Sequence, residues 1–280
     1  MISIIIPTLN EERSLPSLLE AIRSQGVDHE VIVVDGGSQD LTLAVARQYR
    51  VRTAPAPPGR GAAVSAGAHK ARGDVLLFLH ADSTLPPGAL ARICETLAAD
   101  TKIVGGNFRL VFDGDAFFSR LLTRLYALIR RIGVYYGDSG IFVRRSIYDA
   151  LGGFRPLPLM EDLEFVRRLE RFGRTCSIKN PALITSSRRF SERRPRDVLF
   201  GWIKLHVLFW LGACPERLAK IYNMSAPRLK RGATCTPPNV TPPRPPASTV
   251  NGERSSSPPT GSATKEPTNN PSDKQRHHWT

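Results

Sequence analysis

Leu76-Leu77-Phe78-Leu79-His80-Ala81-Asp82 is an unbroken apolar run that ends in a histidine and a carboxylate. A run of this length without alternation reads as a strand buried on both faces, as in parallel sheets covered by helices. A polar pair just past its carboxyl end falls where open α/β sheets bind ligands. Asp82 can there hold a divalent cation, and the cation can hold phosphate oxygens. Asp82 can equally cap a turn ahead of Pro86-Pro87, and His80 can be an ordinary strand-end histidine.

Upstream, strand and helix patterns alternate. Ile2–Ile6 reads as a β-branched strand. Asn10 then reads as a helix cap, with Glu11 and Glu12 in the first turn and Leu15, Leu18, Leu19 and Ile22 on the apolar face. Val31–Val34 is a second buried strand that closes at Asp35, and Gly36-Gly37-Ser38 turns the chain into a helix over Leu41–Tyr49. A short strand near Val51, a loop over Pro55–Gly59 and an Ala-rich helix over Arg60–Arg72 lead to the strand Val75–Leu79. Three successive βα units predict an α/β fold with a mostly parallel sheet and right-handed crossovers.

Downstream the pattern is less regular. Leu90, Ile93 and Leu97 share a helix face, Asn107–Phe112 reads as a strand pairing antiparallel, and Phe117–Ile132 reads as a long helix. A short strand over Ile141–Val143 follows, then a helix over Leu163–Phe172 preceded by Glu161-Asp162. A strand over Ala182–Thr185 and helices over Pro195–Leu211 and Pro215–Ile221 complete the pattern, with no internal repeat.

From Ser225 to Thr280 the chain is dominated by Pro, Ser, Thr, Asn, Arg and Lys, too little apolar surface to offset ordering entropy. A disordered tail over 225–280 is therefore expected beyond a folded unit over 1–224. The net charge is +14, of which the tail's eight Lys/Arg and three Asp/Glu account for +5. An anionic partner is expected: a nucleotide, a nucleic acid or an acidic membrane surface. No helix-turn-helix, zinc or aromatic ribonucleoprotein motif supports specific nucleic-acid binding. The isolated Cys94, Cys176, Cys214 and Cys235 form no metal-ligand pair and suggest no disulfide framework. No signal peptide is read at the N-terminus, and the apolar stretch Val198–Ala213 is too short to span a membrane, so a cytoplasmic location is expected.

Other residues could carry chemistry. Asp35 can receive a ribose or base, or can merely start a turn. Arg60 opens a helix whose amides could meet phosphate, or is solvated there. Glu161 and Asp162 suit a helix N-terminus electrostatically, and either could be a general base. Arg188 and Arg189 could neutralise a diphosphate, or line a charged loop.

The order of these signals is more specific than any one of them. Ser3-Ile4-Ile5-Ile6-Pro7-Thr8-Leu9-Asn10-Glu11-Glu12, Val33-Val34-Asp35-Gly36-Gly37-Ser38-Gln39-Asp40 and Met160-Glu161-Asp162-Leu163-Glu164 resemble blocks of glycosyltransferase family 2. Gly59-Arg60-Gly61 through Asp74 is similar to another block of that family, and Leu79–Asp82 lies where it carries an Asp-Xaa-Asp metal motif. Leu79–Ser83, Gly105–Phe108 and Thr185–Phe190 look like the radical-SAM/selenodomain-associated transferases within it.

The resemblance implies a GT-A fold, with a nucleotide-sugar half over about 1–105 and an acceptor half over about 106–224. It implies a nucleotide-diphosphate sugar donor and an inverting displacement at the anomeric carbon. Pro7, Thr8, Asn10, Glu11, Asp35 and Arg60 would line the nucleotide pocket. Asp82, with His80, would hold Mg²⁺ or Mn²⁺, Asp162 with Glu161 would supply the base, and Arg188 and Arg189 would meet the diphosphate. His80 departs from the family, which usually has an aspartate there. A nucleotidyl transferase would use the same pocket but release pyrophosphate. The helix around Trp202, Ile203, Leu208, Phe209 and Trp210 can pack on the core or lie peripherally on an anionic membrane, which would suit a lipid-linked acceptor.

Overall fold

Ile2–Thr8 forms strand β1 at the heart of the sheet, because Ile4, Ile5 and Ile6 are fully buried on alternating faces. The computed structural model describes residues 1–56, 59–113, 117–185 and 195–222. After β1 come α1 (Leu15–Arg23), β2 (His29–Asp35), α2 (Thr42–Gln48), β3 (Arg52–Pro55), α3 (Arg60–Lys70) and β4 (Val75–Phe78). The second half contains β5 (Ser83–Thr84), α4 (Ala89–Ala99), β6 (Ile103–Phe112), α5 (Phe117–Arg130) and a 3₁₀ turn, Gly137–Ser139. It closes with β7 (Ile141–Arg144), α6 (Arg145–Ala150), α7 (Glu161–Phe172), β8 (Arg174–Thr185), α8 (Pro195–Trp210) and α9 (Pro215–Tyr222).

The strands form one sheet in the order β3-β2-β1-β4-β7-β6-β8-β5. β3, β2, β1 and β4 are parallel, and β7 joins β4 antiparallel with Phe78 opposite Ile141. One face, with Ile4, Ile6, Val33 and Leu77, is covered by α1 and α4; the other, with Ile5, Val34, Leu76 and Phe78, is covered by α3 and α7. Both faces are therefore dry, which explains why β1 and β4 read as continuous apolar runs. A third cluster joins Leu205 of α8 and Leu218 of α9 to Tyr136, Met160 and Leu163.

Several expectations are corrected. Asn10 caps no helix: it has φ 57°, a left-handed conformation that Asn tolerates, and α1 begins only at Leu15. Glu161 and Asp162 lie within the first turn of α7 rather than ahead of it. β6 pairs antiparallel with β7 but parallel with β8. β8 starts eight residues before Ala182; its first half, Arg174-Thr175-Cys176-Ser177-Ile178-Lys179, lacks an apolar signature and is a strand because β6 templates it. Gly105 and Gly106 are packing residues, since a Cβ on Gly106 would lie 2.0 Å from the Cys176 carbonyl oxygen. Arg188, Arg189 and the 225–280 tail lie outside the described residues.

Candidate active site

The chain leaves β1 for β2 on one side and later returns to β4 on the other. The carboxyl ends of β1 and β4 thus flank the topological switch point where open α/β sheets bind ligands. Thr8 pairs with Asp35 at this end, and Leu79 N–H bonds to the Ile5 carbonyl, which carries His80 to the same rim.

Two clusters of the expected residues form there. The first ties the β1 loop to the β2 loop. Asp35 accepts from Thr8 Oγ1 (3.2 Å), Ser38 Oγ (2.5 Å), and the backbone N–H groups of Gly37 (3.0 Å) and Ser38 (2.9 Å). Burial pushes its carboxyl up, but the donors of Ser38, Gly37 and Thr8 outweigh this and hold it below the usual aspartate range. Asp35 is thus the organiser of its turn, with four donors already in place. Asn10 N–H donates to Ser38 Oγ at 2.9 Å, its Oδ1 accepts from Gln39 N–H at 2.9 Å, and Glu11 N–H donates to Thr42 Oγ1 at 2.8 Å. Pro7 is half-buried at the end of the same strand.

The second cluster joins α3, α7 and the 3₁₀ turn. Arg60, the first residue of α3, pairs with Glu161 and lies 3.7 Å from Asp162 Oδ2. Its guanidinium is therefore engaged by carboxylates rather than standing free at a helix start. Gly61 permits this approach, since a Cβ there would lie 2.7 Å from the Arg155 carbonyl oxygen. Burial raises the Glu161 carboxyl against the pull of Arg60. Asp162 Oδ2 accepts from Gly137 N–H at 2.9 Å and Oδ1 from Leu163 N–H at 2.7 Å. A Cβ on Gly137 would lie 2.9 Å from His80 Nε2 and 3.4 Å from Asp162 Oδ2, so His80, Gly137 and Asp162 are packed together.

Sequence reasoning missed four members of this site, Asp138, Tyr126, Tyr136 and His206. Asp138 follows Gly137 and lies beside Tyr126, while its Oδ1 is buried with no hydrogen-bond partner. Burial and the Asp162 carboxylate push Asp138 up to about 7, against Arg60 and Tyr126, with a smaller upward push from Asp82. Tyr136 bonds to His206 Nε2 at 2.7 Å, and His206 Nδ1 lies 2.6 Å from the Trp202 carbonyl. That carbonyl makes Nδ1 the donor, so Nε2 accepts from Tyr136. The available signal was Gly137-Asp138-Ser139-Gly140, a carboxylate between glycines linking a long helix to a short strand.

Among the described residues no three His, Cys, Asp or Glu side chains converge as a ready-made metal site. Asp82 is partly exposed on the β4–β5 turn. These residues fit a cation of the Mg²⁺ type, which takes one or two carboxylates and completes its shell with substrate phosphates and water.

A mostly parallel first half, extended by a part with an antiparallel strand beside the buried carboxylates, is a GT-A-like mixed sheet. The model of the family described as "Glycosyl transferase family 2" matches residues 3–154, and the chain belongs to that family. The undecaprenyl-phosphate 4-deoxy-4-formamido-L-arabinose transferase of Pseudomonas paraeruginosa is 34% identical over 171 residues, covering 54% of this chain and 49% of the relative. Its counterpart in Aeromonas hydrophila subsp. hydrophila is 29% identical over 168 residues, covering 54% and 51%. The chain thus spans about half the length of the curated relatives it matches, and these are undecaprenyl-phosphate transferases rather than radical-SAM-associated ones. Among solved structures, Staphylococcus aureus TarS with UDP-GlcNAc superposes with TM-score 0.55 at 19% identity, over 66% of this chain and 58% of that one. The mannosyltransferase PcManGT of Pyrobaculum calidifontis, with GDP-Man and Mn²⁺, does so with TM-score 0.52 at 20% identity, over 66% and 56%. At these identities the likeness is one of fold.

Proposed function

We propose that this chain transfers a sugar from a nucleotide-diphosphate donor to an acceptor hydroxyl with inversion, Asp162 acting as general base. The observation that carries this reading is the placement of Asp162. It lies at the N-terminus of α7, oriented by Gly137 N–H beside Arg60, near the switch point that serves the nucleotide. In the proposed mechanism Asp162 takes the proton of the attacking hydroxyl while Gly137 keeps its orientation. Arg60 and Glu161 balance charge around it. The Pro7–Glu11 loop and the Asp35 turn form the nucleoside side; Arg188 and Arg189, the sequence's candidates for the diphosphate, lie outside the described residues. A divalent cation held by Asp82, with His80 alongside, would act as Lewis acid for the leaving diphosphate. The catalytic unit spans residues 1–224 in this reading, and 225–280 is a tail outside it.

The clustering of Asp138, Glu161 and Asp162 around Arg60 favours a neutral nucleophile over an anionic one. Transfer to a lipid phosphate is the second reading, favoured by the names of the relatives and by one surface of the fold. On α8, Phe200, Ile203, Val207 and Trp210 form one exposed stripe, and on α5 Leu128 is exposed, with Ile132 just beyond that helix. Exposed Arg120, Arg124, Arg131 and Lys204 lie on or beside the same helices, while α5 has no acidic residue and α8 has only Asp197. No helix among the described residues is long and apolar enough to cross a membrane. The stripe therefore suits the surface of an anionic bilayer, where a lipid-linked acceptor of either kind would be presented.

The test is a melting-temperature screen of nucleotide sugars with and without Mn²⁺, followed by product analysis. A bound donor raises the melting temperature by linkage. Release of a nucleoside diphosphate supports the reading; release of pyrophosphate supports a nucleotidyl transferase. No response to any nucleotide diphosphate would overturn both.

A further inference from the structure

Asp138 is held in an unusual way. Its turn is fixed by Ser139 N–H (3.0 Å) and Ser139 Oγ (2.6 Å) donating to the Tyr136 carbonyl, and by Gly140 N–H donating to the Gly137 carbonyl at 3.2 Å. Gly140 has φ 66°, and a Cβ there would press on Leu79, Phe108 and Leu183 at 3.1–3.2 Å. The turn is locked against the core, which fixes the backbone from which the Asp138 side chain projects. Oδ1 of this carboxyl is buried and bare, with Tyr126 nearby. A buried carboxyl oxygen without a donor is costly and calls for an explanation.

Its neighbours supply one. Asp138 directly follows Gly137, which donates to Asp162 Oδ2 at 2.9 Å and lies against the His80 ring two residues before Asp82. In the reading above, Asp162 faces the attacking hydroxyl and Asp82 the leaving diphosphate. The sugar in transit must lie between these two groups. We propose that Asp138 Oδ1 accepts a hydrogen bond from a hydroxyl of the transferred sugar, making Asp138 a specificity-determining residue for the donor. This inference rests on that reading of the site. A hydroxyl donor satisfies the bare oxygen and stabilises the carboxylate form, which burial otherwise disfavours. A site built to bind a hydroxyl also discriminates strongly against a ligand lacking it.

The test compares UDP and GDP with UDP-glucose, UDP-galactose, UDP-GlcNAc and GDP-mannose by titration calorimetry, with Mn²⁺, on the full chain and on Asp138→Asn. At least one sugar nucleotide should bind the native chain more tightly than its bare nucleotide. Asp138→Asn should weaken that ligand about tenfold or more while leaving the bare nucleotide within about twofold. Equal binding of sugar nucleotide and nucleotide by the native chain overturns the inference, as does an unchanged sugar preference in the variant. A parallel loss of both ligands would mark Asp138 as a metal or structural residue and overturn it too. If neither UDP nor GDP binds the native chain, the reading of the site has failed and the inference falls with it. Should Asp138→Asn not fold, Tyr126→Phe removes the hydroxyl beside the same carboxyl; a smaller selective loss is expected, and an undiminished sugar preference overturns the proposal.

Discussion

The backbone N–H of Gly137 donates to Asp162 Oδ2 at 2.9 Å, and the His80 ring lies against the same glycine. One residue without a side chain thus connects the end of β4, the 3₁₀ turn and the start of α7. Gly137→Ala should force His80 or Asp162 to move, because the added Cβ would lie 2.9 Å from His80 Nε2. A shift of this kind costs turnover more than binding, about tenfold to a hundredfold. Single-turnover kinetics beside donor calorimetry would check this. Unchanged turnover would show that the orientation of Asp162 does not matter.

Asp162→Asn keeps the shape and the acceptor for Gly137 N–H but removes the base. With a hydroxyl acceptor, transfer should fall by about 10²–10⁴ while donor affinity stays close to native. A lipid phosphate is already ionised and has little proton to give, so the same variant would lose little rate with such an acceptor. Nucleoside-diphosphate release measured with each acceptor class separates the two readings.

The sheet's first half was legible because β1, β2 and β4 are covered on both faces and so show as apolar runs at βα spacing. Asp35, Asp82 and Asp162 were legible as carboxylates at strand or helix ends. β8 was only half visible, because Arg174–Lys179 is a strand by pairing rather than by composition. Asp138, Tyr126 and His206 were invisible because each acquires meaning from a neighbour distant in sequence. The Asn10 cap failed for a related reason: Ser38 and Gln39 hold Asn10 from another loop, and that outweighs its local preference for a helix start.

Asp138 should also mark the pH dependence of stability. Its folded-state value is raised to about 7, so its contribution is intact below the unfolded value near 4 and is lost as pH rises through 7. Asp138→Asn carries no such burden. Its melting temperature relative to the native chain should therefore be a few degrees more favourable at pH 8 than at pH 5, in the range that about 1 kcal/mol produces. A constant difference between the two pH values would show that Asp138 does not titrate in this range.

Asp35 should behave with the opposite sign. Hydrogen bonds depress its folded-state value, so its contribution is present above the unfolded value of about 3.9 and disappears as pH falls through the lower folded one. Asp35→Asn should lower the melting temperature at pH 7 and converge on the native curve in strong acid. Persistence of the full difference at pH 2 would contradict the hydrogen-bonded carboxylate.

The two faces of α8 separate packing from surface binding. Trp202 stacks on Tyr126 with centroids 6.2 Å apart and meets Tyr136 edge-on at 5.7 Å, so Trp202→Ser should destabilise the fold near the site. Ile203 and Trp210 point away from that cluster and are about half exposed, at 46% and 55%. Ile203→Ser combined with Trp210→Ser should leave the melting temperature nearly unchanged, although Trp210 gives up its stacking with Arg167, whose guanidinium carbon lies 4.0 Å from its ring centroid. The same pair should sharply reduce co-sedimentation with phosphatidylglycerol vesicles, and salt should weaken the native chain's binding to them. Neutral phosphatidylcholine vesicles should bind less in every case. If the double variant sediments with anionic vesicles as well as the native chain does, the stripe on α8 is not the membrane-facing surface, and the second reading of the acceptor loses its structural support.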